Sequence, residues 1–156
     1  MLDSEAGELH SLFGSSKSFV EFAQDRMILD LGCGDGKCVA EMSKRGAPIL
    51  GLDLHLTEAQ KKEPVFIQGD AFRLPFGEAL FDCIISTWSV FHYEPVEQLA
   101  ALMRESCRAL KAGGSLILPA LSQPDRQQEI LRINKKLKME SRFVPGSENL
   151  ICKKTG

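Results

Sequence analysis

The sequence predicts a single α/β domain with a mostly parallel sheet and helices on both faces. Three observations predict it. Short apolar runs alternate with longer stretches of helical periodicity, as in consecutive βαβ units. The first such run empties into a glycine-rich turn that opens a helix, Ile28-Leu29-Asp30-Leu31-Gly32-Cys33-Gly34-Asp35-Gly36-Lys37. The length, 156 residues, suits one core, since a chain of this size buries roughly 68–70% of its unfolded surface.

The elements follow in order along residues 1–156, read as one domain. Residues 1–25 read as one or two short helices, 27–120 as the ligand-binding core, and 121–156 as a helix followed by a hairpin. Met27–Leu31 is the first strand, and Gly36–Arg45 a helix stopped by Gly46 and Pro48. Ile49–Leu54 is the second strand. Thr57 and Gln60 form a T-x-x-Q capping box opening a short helix that ends at Pro64. Val65–Gln68 and Phe81–Thr87 are the third and fourth strands. A helix from Pro95 to Leu110 carries Val96, Leu99, Ala100, Met103, Cys107 and Leu110 on one apolar face, and Lys111-Ala112-Gly113-Gly114 ends it. Ser115–Ala120 is the fifth strand, and Pro124–Lys138 a helix with proline at its start and lysines at its end. Ser141–Val144 and Asn149–Lys153 form the hairpin around Pro145-Gly146-Ser147-Glu148.

Composition narrows the function classes. The net charge is −2, so the whole chain is no polycation built for nucleic acid. The charge is uneven: residues 121–156 carry 8 Lys/Arg against 4 Asp/Glu. This reads as a solvated helix face, or as a docking patch for an anionic partner. No apolar run is long enough to span a membrane, and the acidic start MLDSEAGELH is no secretory signal. The five cysteines lack a C-x-x-C pair, so neither a disulfide framework nor a metal site is expected, and a cytoplasmic setting fits. Cys83, Cys107 and Cys152 lie in apolar stretches and are expected in the core.

Chemistry concentrates at the strand ends. Glycines let a ligand approach the main chain, and a helix N-terminus suits an anionic group. The spacing is G-x-G-x-G at Gly32, Gly34 and Gly36, with Lys37 where a dinucleotide fingerprint wants a small residue. Asp53 ends the second strand, where a carboxylate can accept both hydroxyls of a ribose. Asp70 follows the third strand, placed to take an exocyclic amine of an adenine, with Leu54 and Ala71 flanking the ring.

These residues resemble a known family. D-L-G-C-G-D-G, G-L-D-L, G-D-A-x-x-L-P-F, Phe81-Asp82 and R-x-L-K-x-G-G at 108–114 are similar to the class I S-adenosylmethionine-dependent methyltransferases of the ubiquinone/menaquinone-biosynthesis type, over residues 27–120. The resemblance implies a Rossmann-like seven-stranded sheet of order 3-2-1-4-5-7-6, with strand seven antiparallel. It implies S-adenosylmethionine as cofactor: Asp30, Cys33 and the backbone of Gly32 and Gly34 at the methionine end, Asp53 on the ribose, and Asp70 and Ala71 on the adenine. Ser86, Thr87 and Trp88 would lie beside the methionine moiety. Two departures stand out. The span from Asp53 to Asp70 is short, so an open pocket is expected. No substrate-binding insertion follows the fifth strand.

Methyl transfer from a sulfonium needs alignment above all, and a base only if the acceptor arrives protonated. His92, in the loop that the resemblance puts on the acceptor side, is the candidate base. The alternative is a histidine at a helix start bonded to the main chain. Ser86-Thr87-Trp88-Ser89 carries neither the N-P-P-Y nor the Pro-Cys signature of nucleobase methylation, so a small-molecule acceptor is expected. RNA or protein is the alternative, with Lys135, Lys136 and Lys138 on phosphates and strong salt dependence. A non-catalytic cofactor-binding partner subunit or sensor and a nicotinamide oxidoreductase are competing classes.

Overall fold

A computed structural model describes residues 16–87 and 89–156. Seven strands form one sheet: β1 Ile28–Leu31, β2 Ile49–Asp53, β3 Phe66–Gln68, β4 Phe81–Ile85, β5 Leu110–Leu118, β6 Met139–Phe143 and β7 Leu150–Lys154. Their spatial order is β3-β2-β1-β4-β5-β7-β6. The strands pair in parallel except β7, which runs antiparallel to both β5 and β6. The helices are α1 Ser16–Ala23, α2 Lys37–Lys44, α3 Glu58–Lys61, α4 Val90–Tyr93, α5 Leu99–Ala109 and α6 Pro124–Leu137. The part of the expected N-terminal helical segment before residue 16 lies outside the described residues.

The central strands bury both faces, which explains their near-continuous apolar runs. The two-residue period sorts them into two cores. Leu29, Leu31, Ile84, Leu116 and Leu118 join the core under α5 and α6. Ile28, Cys83, Ile85 and Ile117 join Phe19, Val39 and Met42 of α1 and α2 on the other face. Cys83 and Cys152 are fully buried, whereas Cys107 is only half-buried; none of the five cysteines is in a disulfide.

Several boundaries differ from expectation for physical reasons. The helix expected over 95–110 is a 3-10 turn at Val96–Gln98 followed by α5. Leu110 does not close that helix; it pairs with Phe81 and begins β5. Lys111–Gly114 then bulges before Ser115 meets Cys83. Gly113 takes φ +79°, and Gly114 leaves no room for a Cβ against the Asp82 carbonyl at 3.0 Å. The buried face of α5 is Leu99, Leu102, Met103, Ser106 and Ala109, because the helix packs on α6 as well as on the sheet. Strand β4 stops at Ile85, and β5 at Leu118. The capping box forms as expected: Gln60 N–H donates to Thr57 Oγ1 at 3.1 Å, and Thr57 N–H to Gln60 Oε1 at 2.8 Å.

Candidate functional site

A cavity of about 270 Å³ opens where the carboxyl ends of β1, β2 and β3 meet α4. Parallel sheets place such crevices at their carboxyl ends because the connections to the next helices diverge there. Its walls are Gly32, Leu52, Asp53, Leu54, Gly69, Asp70, Ala71, Phe72, Ser89, Val90 and Glu94.

Each wall has a local cause. The turn after β1 runs through Gly32 at φ +77°, Gly34 at φ +57° and Gly36 at φ +74°, a left-handed path that side chains resist. Gly32 is also a close approach: a Cβ there would collide with the Ser89 side chain. The turn's N–H groups serve the fold itself. Gly32 and Cys33 donate to the Leu52 carbonyl at 2.7 and 3.0 Å. Gly34 donates to Asp53 Oδ2 at 2.9 Å, and its carbonyl accepts from Gln60 Nε2 at 2.9 Å. The buried Gln60 therefore ties the capping box of α3 to the glycine turn.

Asp53 sits half-buried at the tip of β2, its second oxygen accepting His55 N–H at 3.0 Å. Asp70 follows β3 and accepts Phe72 N–H at 2.9 Å. The Asp70 segment is braced from α5. Glu105 Oε2 accepts Leu74 N–H at 2.8 Å, and Arg108 donates to the carbonyls of Phe76 and Leu74 at 3.0 and 3.3 Å. Burial raises Cys83 to about 12, and that thiol takes no part in the cleft.

The structure brings Gly32, Asp53, Leu54, Asp70 and Ala71 together on the cavity wall. Asp30 lies buried within β1, and the Cys33 side chain packs toward Gly51, so neither lines the cavity. Gly34 is exposed beside it with open space over its Cα. Ser86 is fully buried at the end of β4, with no partner for its hydroxyl among the described residues. Thr87 is half-buried and off the cavity wall, and Trp88 lies outside the described residues.

His92 stands apart from its expected place. It is 2% exposed, and it is not part of the cavity wall. Its Nδ1 accepts Ser89 N–H at 3.4 Å, which puts the ring proton on Nε2 for donation to the Pro119 carbonyl at 2.9 Å. Burial lowers its pKa below the ordinary 6.5; the Pro119 bond works against this and Arg126 adds to it. The cleft residues that sequence reasoning missed are Leu52, Gly69, Phe72, Ser89, Val90 and Glu94. The spacing of Val90 and Glu94, one helical turn apart, was the available signal.

Asp53, Asp70 and Glu94 are the charged side chains among the described residues walling the cavity, and no lysine, arginine or histidine joins them. A fully polar-free cradle or a phosphate site would look different. The carboxylates at two adjacent strand tips suit hydroxyl and amine donors, and Glu94 adds a third carboxylate to the wall. The residues present thus fit a ribose, an adenine and a cationic arm.

Comparison with known proteins gives the family. Residues 29–118 match the methyltransferase domain family. An uncharacterized methyltransferase of Synechocystis sp. is 32% identical over 102 residues, covering 62% of this chain and 48% of the relative. A demethylmenaquinone methyltransferase of Mycobacterium bovis is 30% identical over 114 residues, covering 70% of this chain and 47% of the relative. The chain spans about half the length of these curated relatives. In fold it is similar to a TehB-like S-adenosylmethionine-dependent methyltransferase from Corynebacterium glutamicum, with a TM-score of 0.69 at 22% identity over 98% of this chain and 96% of that one. With the family match spanning the glycine turn, both acidic strand tips and the first five strands, the chain belongs to the class I S-adenosylmethionine-dependent methyltransferase domains.

Proposed function

We propose that the chain transfers a methyl group from S-adenosylmethionine to a small-molecule acceptor by in-line displacement. The observation that carries this is a cavity that gathers Gly32 of the glycine turn and the carboxylates of Asp53 and Asp70, with no cationic side chain among the described residues on its wall. A dinucleotide pyrophosphate would meet three carboxylates there. It would also find the Gly32 and Gly34 N–H groups already engaged with Leu52 and Asp53.

When bound, the cofactor supplies a methyl group already activated by its sulfonium. The chain's residues bind and align. Asp53 Oδ1 and Oδ2 keep lone pairs for the ribose hydroxyls beyond the N–H bonds that orient them. Asp70 and the Ala71 main chain take the adenine edge, with Leu54 and Phe72 beside the ring. The Gly32 carbonyl is the main-chain group that the turn offers to an ammonium. His92 positions the Ser89–Glu94 segment from behind; with both ring nitrogens on the main chain, no lone pair faces an acceptor. Alignment in the cleft is then the main source of rate.

The acceptor reading draws on the M. bovis relative, whose name makes demethylmenaquinone its acceptor. A small acceptor of that kind is proposed here. Lys135, Lys136 and Lys138 lie exposed at the end of α6, off the cavity wall, which favours this over RNA. Five cysteines outside any disulfide suit a reducing compartment, and no helix among the described residues is long and apolar enough to cross a membrane.

Calorimetry with S-adenosylhomocysteine is the direct test. Micromolar binding is expected, about −7 to −8 kcal/mol. Asp53→Ala should weaken it by about 1.5–3 kcal/mol through loss of charge-assisted hydrogen bonds. Unchanged affinity in that variant would remove Asp53 from the ribose, and no binding by the wild type would end the cofactor reading.

A further inference from the structure

We infer that Glu94 is the residue that reads positive charge in this cleft, through the sulfonium or the ammonium of the cofactor. The inference rests on the cofactor reading above and adds a recognition residue to it.

Four observations converge on Glu94. First, α4 begins directly over the glycine turn: the Ser89 side chain fills the space above Gly32, and Val90 N lies 3.9 Å from where a Gly32 Cβ would be. Glu94 is one turn further along, on the same side as Val90, and both wall the cavity.

Second, the main chain of Glu94 is already committed. Its N–H donates to the Val90 carbonyl at 3.0 Å, and its carbonyl accepts from Arg126 Nη1 at 2.6 Å. The side chain is the polar part of Glu94 left to meet a ligand.

Third, that carboxylate has no hydrogen bond or ion pair among the described residues. Asp53 is met by the N–H groups of Gly34 and His55, and Asp70 by that of Phe72. Arg126, the buried cation closest along this segment, is spent on Gln123 and on the carbonyls of Phe91 and Glu94. Glu94 is thus the least compensated charge on the wall.

Fourth, local energetics do not account for it. Glu94 closes the C-terminal end of α4, a position that offers its carboxylate no helix N–H donor. A half-buried carboxylate with neither a partner nor a favourable helix end is suited to a cation brought by the ligand.

The test compares three ligands on the wild type, Glu94→Gln and Glu94→Lys by isothermal titration. S-adenosylmethionine carries sulfonium and ammonium, S-adenosylhomocysteine the ammonium, and methylthioadenosine neither. Glu94→Gln is expected to weaken S-adenosylmethionine by about fivefold or more, and Glu94→Lys further, while methylthioadenosine stays within about twofold, as for one charge pair in a partly wet site. A loss confined to S-adenosylmethionine assigns the carboxylate to the sulfonium. A loss shared with S-adenosylhomocysteine but not with methylthioadenosine assigns it to the ammonium. Unchanged affinity for all three, or an equal loss that includes methylthioadenosine, overturns the inference, because Glu94 would then shape the cavity without reading charge. Wild-type protein that binds none of the three would defeat the cofactor reading and this inference with it.

Discussion

At the scale of single residues, His92 separates what a side chain can do from where the fold puts it. An imidazole is a natural base near neutral pH. Here it spans two main-chain groups of different elements, Ser89 N–H and the Pro119 carbonyl, and is buried with Arg126 nearby. Removing it leaves a buried carbonyl unpaired, so His92→Ala should cost about 1–3 kcal/mol in chemical denaturation. The lowered pKa gives the effect a direction in pH. The unfolded chain takes up the proton first as pH falls below the ordinary 6.5, so the contribution is complete above that value and is lost toward the lowered pKa of the folded state. The stability gap to the variant should therefore narrow below pH 6.5. A methyl-transfer pH profile that lost an ionisation in His92→Ala would instead return His92 to the mechanism as a base.

At the scale of elements, two braces decide where the strand-tip carboxylates point. Gln60 holds the Gly34 carbonyl while completing the cap of α3, so a helix start and a binding turn share one side chain. Arg108 and Glu105 of α5 grip the 74–76 segment that follows Asp70 and Ala71. The pair is internally charged, Arg108 Nε to Glu105 Oε1 at 2.8 Å, and Arg108 is 30% exposed. That exposure keeps the ion pair itself modest, while the bonds to the Leu74 and Phe76 carbonyls carry the geometry. Arg108→Ala should lower stability by about 1.5–3 kcal/mol, the range for hydrogen bonds to a charged group. It should also speed amide exchange over residues 70–76 ahead of the central strands. Uniform exchange across the sheet would show that the brace acts on the whole fold and not on the loop.

At the scale of the whole molecule, Asp82 stitches three strands at the end opposite the cleft. Its Oδ2 accepts Met27 N–H at 2.8 Å, and Lys111 Nζ lies 3.2 Å away, so the starts of β1, β4 and β5 meet on one carboxylate. Desolvation pushes its pKa up, but the Met27 bond and Lys111 outweigh this and hold it below the ordinary 3.8. A carboxylate held low in the folded state adds stability that is present above 3.8 and lost as pH falls through the lowered value. Asp82→Asn should thus cost about 1–2 kcal/mol near neutrality, with the gap to wild type closing in acid. Parallel acid-denaturation curves for the two proteins would sink that account. Because the site lies at the other end of the sheet, cofactor affinity should be nearly unchanged.

Much of this protein is decided by local sequence. The strand positions, the Thr57–Gln60 cap, the left-handed glycines and the proline-started α6 follow from periodicity and backbone preference, which act within a few residues. So do Asp53 and Asp70, because a residue that ends a parallel strand is carried to the ligand edge of the sheet whatever the rest of the chain does. What only the tertiary structure decided concerns groups whose partners are far along the chain. Leu110 reads as the last residue of a helix, yet pairing with Phe81 turns it into a strand, since long-range hydrogen bonds outweigh helix propensity at a terminus. His92 and Glu94 lie two residues apart in one short segment, and nothing local says which faces the cleft. The Pro119 carbonyl draws His92 inward, and Arg126 takes the Glu94 carbonyl. Glu94, not His92, is thereby left on the cavity wall.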